Sequence, residues 1–204
     1  GISNITTILH NESGYYPIVE TDEHGFNNPK GLYNKNKVDI ILTGDSFTEG
    51  YSVHADQNIS AVLRQLDFNT ISIGKGSNGP LTELAALKEY AEPLKPKIVL
   101  WLYYVNDLNE LDIEMQSLIL RKYLNEDDYS QNLISRQEEI DGVLINYVQV
   151  KWKKEKKLKK RKVKKRIINL LKLSKLRRMI NLTPVSIPRP TPTPTPTPTL
   201  IFRN

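Results

Sequence analysis

Cysteine is absent from all 204 residues. That excludes a disulfide framework and a thiolate metal site, while leaving the redox compartment open. Histidine is scarce, with only His10, His24 and His54, all in the first third of the chain. There is no run of 18 apolar residues, the usual signal of a helix that crosses a membrane. Proline is concentrated near the end, where residues 188–199 are mostly a Thr-Pro alternation. Proline fixes φ and has no amide hydrogen, so residues 183–204 are expected to form an extended, unpacked tail.

What is present is unevenly charged. The net charge is +6, yet residues 151–178 hold 16 basic residues against the single acid Glu155. That segment carries +15, and the rest of the chain, with 13 basic and 22 acidic residues, carries −9. The basicity therefore belongs to one segment and says nothing about partners of the remainder. Residues 151–182 contain no proline or glycine, and Val163, Ile167, Leu170, Leu171, Leu173, Leu176 and Ile180 approximate one face. An amphipathic basic helix is predicted, suited to packing on the domain or to an anionic membrane surface. Nothing there reads bases, so any nucleic-acid contact would be nonspecific.

The pattern ahead of that segment alternates short apolar runs with helical stripes. Residues 1–37 read as a lead-in of short strands and loops. Within it, His24 sits in a polar turn and is expected to be solvated. Residues 38–42, 69–73 and 98–104 read as strands, the last as a central strand covered on both faces. Residues 53–66, 81–94 and 111–124 have apolar positions three and four apart and read as helices, whereas 143–150 fit helix or strand equally. Strand and helix in alternation predict an α/β domain over 38–150 with a doubly wound parallel sheet.

The chemistry-bearing stretch is Gly44-Asp45-Ser46, at the end of the first sheet strand. Open α/β sheets bind ligands beyond the carboxyl ends of their strands, so a serine delivered there is well placed to react. The alternative is a plain strand-to-helix turn capped by Asp45 or Ser46. After the next strand comes Gly74-Lys75-Gly76-Ser77-Asn78-Gly79-Pro80, and after the third comes Asn106-Asp107. Taken alone, Gly74, Gly76 and Gly79 read as a loop needing positive φ.

These three blocks, in this order over residues 35–125, resemble those of the SGNH (GDSL) hydrolases, a family of esterases, lipases and carbohydrate deacetylases. The segment Glu20 to Pro29 is similar to a lead-in found in bacterial SGNH-like proteins. The resemblance implies a three-layer, flavodoxin-like sheet and a serine esterase that needs no metal or cofactor. Ser46 would be the nucleophile acting on a carbohydrate, lipid or small-molecule ester. The backbone amides of Ser46 and of Gly76 or Ser77, with the Asn106 side chain, would form the oxyanion hole. Gly44, Asp45, Gly79 and Asp107 would support the motif, Asp107 as a structural partner or helix cap. An acyltransferase using the same serine is a close variant, and a location in the bacterial cell envelope is implied.

The family's Asp-x-x-His block does not occur in this sequence. His54, eight residues past Ser46, is the one conceivable substitute base. The absent block, the first residue Gly1 and the Thr-Pro end lead to the expectation of a partial chain, incomplete at its C-terminus. On that view, a non-catalytic SGNH-like module bound to a membrane surface is the competing function.

Overall fold

The computed structural model describes residues 1–9, 11, 12, 14–34, 37–105 and 107–179, the side chains of 174–177 and 179 excepted. The predicted tail therefore lies outside the described residues. The chain divides into two units, residues 1–151 and 152–204.

The first unit opens with a short antiparallel pair, β1 (Thr6–Ile8) and β2 (Ile18–Glu20). The main sheet is parallel and contains β3 (Ile40–Gly44), β4 (Thr70–Ser72) and β5 (Ile98–Leu102), in the order β4-β3-β5. Its strand order reverses at β3, which is where an open α/β sheet forms its crevice. Between the strands lie α1 (Ser46–Glu49), α2 (Ile59–Gln65) and α3 (Pro80–Ala86), the last running on through a π turn at Leu87–Ala91. After β5 come α4 (Asp107–Glu114), α5 (Leu118–Asn125) and the long α6 (Gln137–Met179). A mixed α/β fold with a small parallel sheet and a long C-terminal helix is the result.

Several boundaries follow from capping. The first helix stripe was expected over 53–66, but Asn58 accepts the Ala61 amide at 2.8 Å and starts α2 there. The predicted single helix over 111–124 is two, because the Ser117 hydroxyl accepts the Leu120 amide and restarts the chain as α5. Residues 143–150 are helical, within α6.

β5 corrects the expectation of a central strand. It pairs only with β3 among the described residues, and Ile98, Val99 and Trp101 are each more than 40% exposed. Its apolar run lacks a covering neighbour on that edge, whereas Ile41 and Leu42 of β3 are fully buried.

The core on one side of the sheet joins Ile41, Ile71 and Ile73 to Phe26, Tyr90 and Ala91. Phe26 comes from the lead-in, which is thereby part of the fold. Each of the three isoleucines and Phe26 contributes about 1.5–3 kcal/mol by leaving water. His24 departs from its predicted solvated state: it is buried, with its ring 4.6 Å from Tyr33 and 5.6 Å from Tyr90. Phe26 and Leu32 pull the turn inward, and the histidine goes with it.

Asp22 organises the same turn. Its buried carboxylate accepts the amides of His24 and Phe26, each at 2.9 Å, and the Asn28 side chain at 2.8 Å. Asn28 then pairs with β4 as a strand would, donating to the Ser72 carbonyl at 2.8 Å and accepting its amide at 2.9 Å. Asn27 donates to the Glu49 carbonyl at 2.8 Å, which fixes the end of α1.

Within α6, the expected division into a basic and an apolar face is not found. Twelve of the sixteen residues 151–166 are Lys or Arg, so they occupy every face of the helix. The apolar residues follow in 167–173, and polar and apolar character separates along the helix.

Candidate active site

Ser46 is the first residue of α1, directly beyond the carboxyl end of β3. Asp45 caps the helix by accepting the Phe47 amide at 2.9 Å, and Gly50 ends it in the left-handed conformation at φ 73°. Capping therefore falls to Asp45, and Ser46 is left half-buried in the walls of two cavities. Gly44 is fixed by close approach. A Cβ there would lie 2.1 Å from Thr48 Oγ1 and 2.5 Å from the Leu102 carbonyl oxygen.

The glycine block stands beside the serine. A Cβ on Gly76 would lie 3.7 Å from Ser46 Cβ and 3.2 Å from Glu49 Oε2. The expected need for positive φ is not met at Gly74, Gly76 or Gly79. In this block the positive φ belongs to Ser77, at 68°. The glycines serve close contact instead. A Cβ on Gly74 would lie 2.5 Å from the Thr48 side chain, and one on Gly79 would lie 2.6 Å from Glu110 and 2.8 Å from Glu114.

Two acids that sequence reasoning passed over hold these turns. Glu49, only 4% exposed, forms an ion pair with Lys75 and accepts the Gly76 amide at 2.7 Å. Glu114, at the end of α4, accepts the amides of Gly79 at 2.9 Å and Leu81 at 2.8 Å, and also the Thr82 hydroxyl. It supplies α3 with the anionic N-terminal cap that Gly79 cannot. Glu49 had a local signal, an acid one helical turn after the serine. Glu114 had none, because its partners lie more than thirty residues away.

These contacts sort the backbone donors. The Gly76 amide is taken by Glu49, whereas the amides of Ser46 and Ser77 meet no acceptor among the described residues. An open amide at a helix start is expected, since the first turn has no intrahelical acceptor for it. Asn106 lies outside the described residues. Asp107 is fully buried at the start of α4 and accepts the amide of Tyr104, three residues upstream, at 2.7 Å, so it braces the turn that leads into the helix as a structural partner. Burial raises its carboxyl above the ordinary range. The adjoining Tyr104 ring lies 4.8 Å from Phe47, joining the turns after β3 and β5.

Beneath the site, Glu83 of α3 is fully buried and accepts the Trp101 indole N–H at 2.5 Å. Burial, and then the nearby Asp107, Asp45 and Glu114, push its carboxyl up to about 7. Among the described residues, no cluster of acids and histidines is arranged to hold a metal ion.

His54 is exposed and stacks on Tyr15, with ring centroids 4.3 Å apart and planes at 10°. It belongs to the described lining of neither cavity, and no hydrogen bond joins it to Ser46. His24 is enclosed by aromatic rings, and His10 lies outside the described residues. In comparisons with known proteins, no family model matches the chain, nor does any curated protein or solved structure.

Proposed function

We propose that the chain is an SGNH-type serine esterase with Ser46 as nucleophile. The observation that carries the reading is the meeting of the serine turn and the glycine turn at the carboxyl ends of two adjacent parallel strands. There Ser46 lines open space with two amides unengaged nearby. The Ser46 oxygen bonds to the ester carbonyl carbon, the bond to the alcohol oxygen breaks, and the alcohol leaves with the proton. Water then takes the acyl group; a sugar hydroxyl in its place would make the enzyme an acyltransferase.

The tetrahedral oxygen is held by the Ser46 and Ser77 amides, in the company of Asn106. Each such donor is worth about 2.7–4 kcal/mol in the transition state. Of the two joint candidates in the glycine block, Ser77 is preferred to Gly76, whose amide is occupied. Its positive φ also fits a position that the family fills with glycine.

A serine without a hydrogen-bonded histidine is a weak nucleophile. Hydrolysis by this chain is therefore slow and rises towards alkaline pH, where hydroxide removes the proton. Turnover of p-nitrophenyl acetate that disappears in Ser46→Ala supports the reading. Turnover unaffected by that change contradicts it.

A second reading is carried by residues 151–178, where a +15 helix also exposes Trp152, Val163, Ile167 and Leu170. Lysine next to exposed aromatic and aliphatic residues suits an anionic membrane surface. Salt-sensitive binding to vesicles containing phosphatidylglycerol, without ester turnover, would favour a binding module.

A further inference from the structure

The two cavities that share Ser46 differ in chemistry. One, of about 320 Å³, is lined by Phe47, Tyr51, Val53 and Ile59, with Gln57 and Asn58 among its polar residues. The other, of about 560 Å³, is lined by Glu12, Asp45, Glu49, Glu110, Lys75 and Ser77, among others. Glu12, Ser46 and Tyr51 belong to both walls. Each has the size of a small-molecule site.

The first cavity is mostly apolar and removes hydrocarbon from water, with Glu12 the one charged group in its described lining. In the larger cavity the described lining has four carboxylates and one ammonium, and that ammonium is already paired with Glu49. An anion entering it meets more negative than positive charge in the described lining, whereas hydroxyl groups find acceptors in the carboxylates and donors in Lys75 and Ser77.

We infer that the two cavities divide one ester between them: the apolar cavity takes a short acyl chain, and the acidic cavity takes an uncharged or cationic polyhydroxyl alcohol such as a sugar. The assignment of the two halves rests on Ser46 being the nucleophile, because the scissile carbonyl must lie where the cavities meet. Carbohydrates with carboxylate or sulfate groups are excluded from the alcohol side. Phe47, Val53 and Ile59 set acyl length, and Glu12 and Glu110 set charge preference.

Alkyl glycosides test the binding claim without requiring turnover, since they have a sugar and a chain but no ester. Affinity for the full chain, measured by titration calorimetry with methyl, butyl and hexyl glucosides below their micelle concentrations, is expected to rise about fourfold per buried methylene. Val53→Trp should abolish that rise. Hexyl glucuronide should bind at least about tenfold more weakly than hexyl glucoside at low salt, and Glu12→Gln with Glu110→Gln should narrow the gap. Affinity independent of chain length, a length dependence untouched by Val53→Trp, or equal binding of the glucuronide would overturn the inference.

Protection of Ser46 from a fluorophosphonate by hexyl glucoside separates the two levels. Labelling without protection sinks the cavity assignment and leaves the nucleophile standing. Length-dependent binding with no labelling sinks the nucleophile and keeps a glycoside site.

Discussion

The Gly76 amide donates to Glu49 Oε2 at 2.7 Å, so the turn after β3 and the turn after β4 are held as one unit. Lys75 completes the tie from the neighbouring position. Glu49→Ala removes both contacts and leaves the Gly76 amide and the Lys75 ammonium without their acceptor. The site should loosen, with a stability loss of about 2–3 kcal/mol and Ser46 reactivity lowered at least about tenfold. Urea unfolding and fluorophosphonate labelling rates measure the two effects. A variant with unchanged labelling would show that the tie does not position the serine.

Ser77 holds φ at 68°, a conformation that costs a residue with a side chain roughly 1–2 kcal/mol. Ser77→Gly should relieve part of that cost, offset by the greater freedom of glycine when unfolded. A small net gain, below about 1 kcal/mol, is expected, with the site amide retained and labelling preserved. Ser77→Pro removes the donor and cannot adopt the angle, so it should abolish labelling. Labelling that survives the proline would remove Ser77 from the oxyanion role.

Glu114 receives the first amides of α3 and the Thr82 hydroxyl while only 8% exposed. Glu114→Ala leaves several buried donors unmet, and the expected cost is about 3 kcal/mol. Gly79→Ala should be comparably harmful, because its methyl group would enter the space of Glu110 and Glu114. Thermal unfolding of both variants tests this, and a melting temperature within a degree of wild type would contradict it.

How much of this was legible depended on range. Ser46, its strand and its Asp45 cap follow from residues within a few positions, so the sequence pattern reached them. The glycine block was located correctly but explained wrongly. Its glycines accommodate Thr48 and Glu114, and a requirement of that kind depends on neighbours that only folding brings close. The run at Ile98–Leu102 read as central because composition reports apolarity and not the presence of a neighbouring strand. His24 looked solvated in its polar turn, yet packing of Phe26 and Leu32 carried it inside. In α6, a few apolar residues at helical spacing masked the fact that Lys and Arg fill every face of 151–166.

Glu83 gives the account a pH signature. Its carboxyl ordinarily titrates near 4.5 and is pushed to about 7, chiefly by burial. Between those values the folded chain keeps a proton that the unfolded chain has released, so stability falls as pH rises from 4.5 to 7 and then levels. The change is on the order of 3 kcal/mol. Glu83→Gln should flatten the slope when melting temperature is followed across this range. A slope identical to wild type would mean that Glu83 is ionised throughout.

A nucleophilic role for Ser46 is tested by intact-mass analysis after prolonged fluorophosphonate treatment at alkaline pH, where hydroxide takes the proton that no histidine takes, with the folded chain and Ser46→Ala compared side by side. The probe forms a stable adduct with a serine whose oxygen attacks phosphorus and whose neighbouring amides receive the developing charge. A nucleophilic role for Ser46 requires one adduct on the wild-type chain and none on the variant. No adduct on a chain shown to be folded, or the same adduct on both, would contradict it.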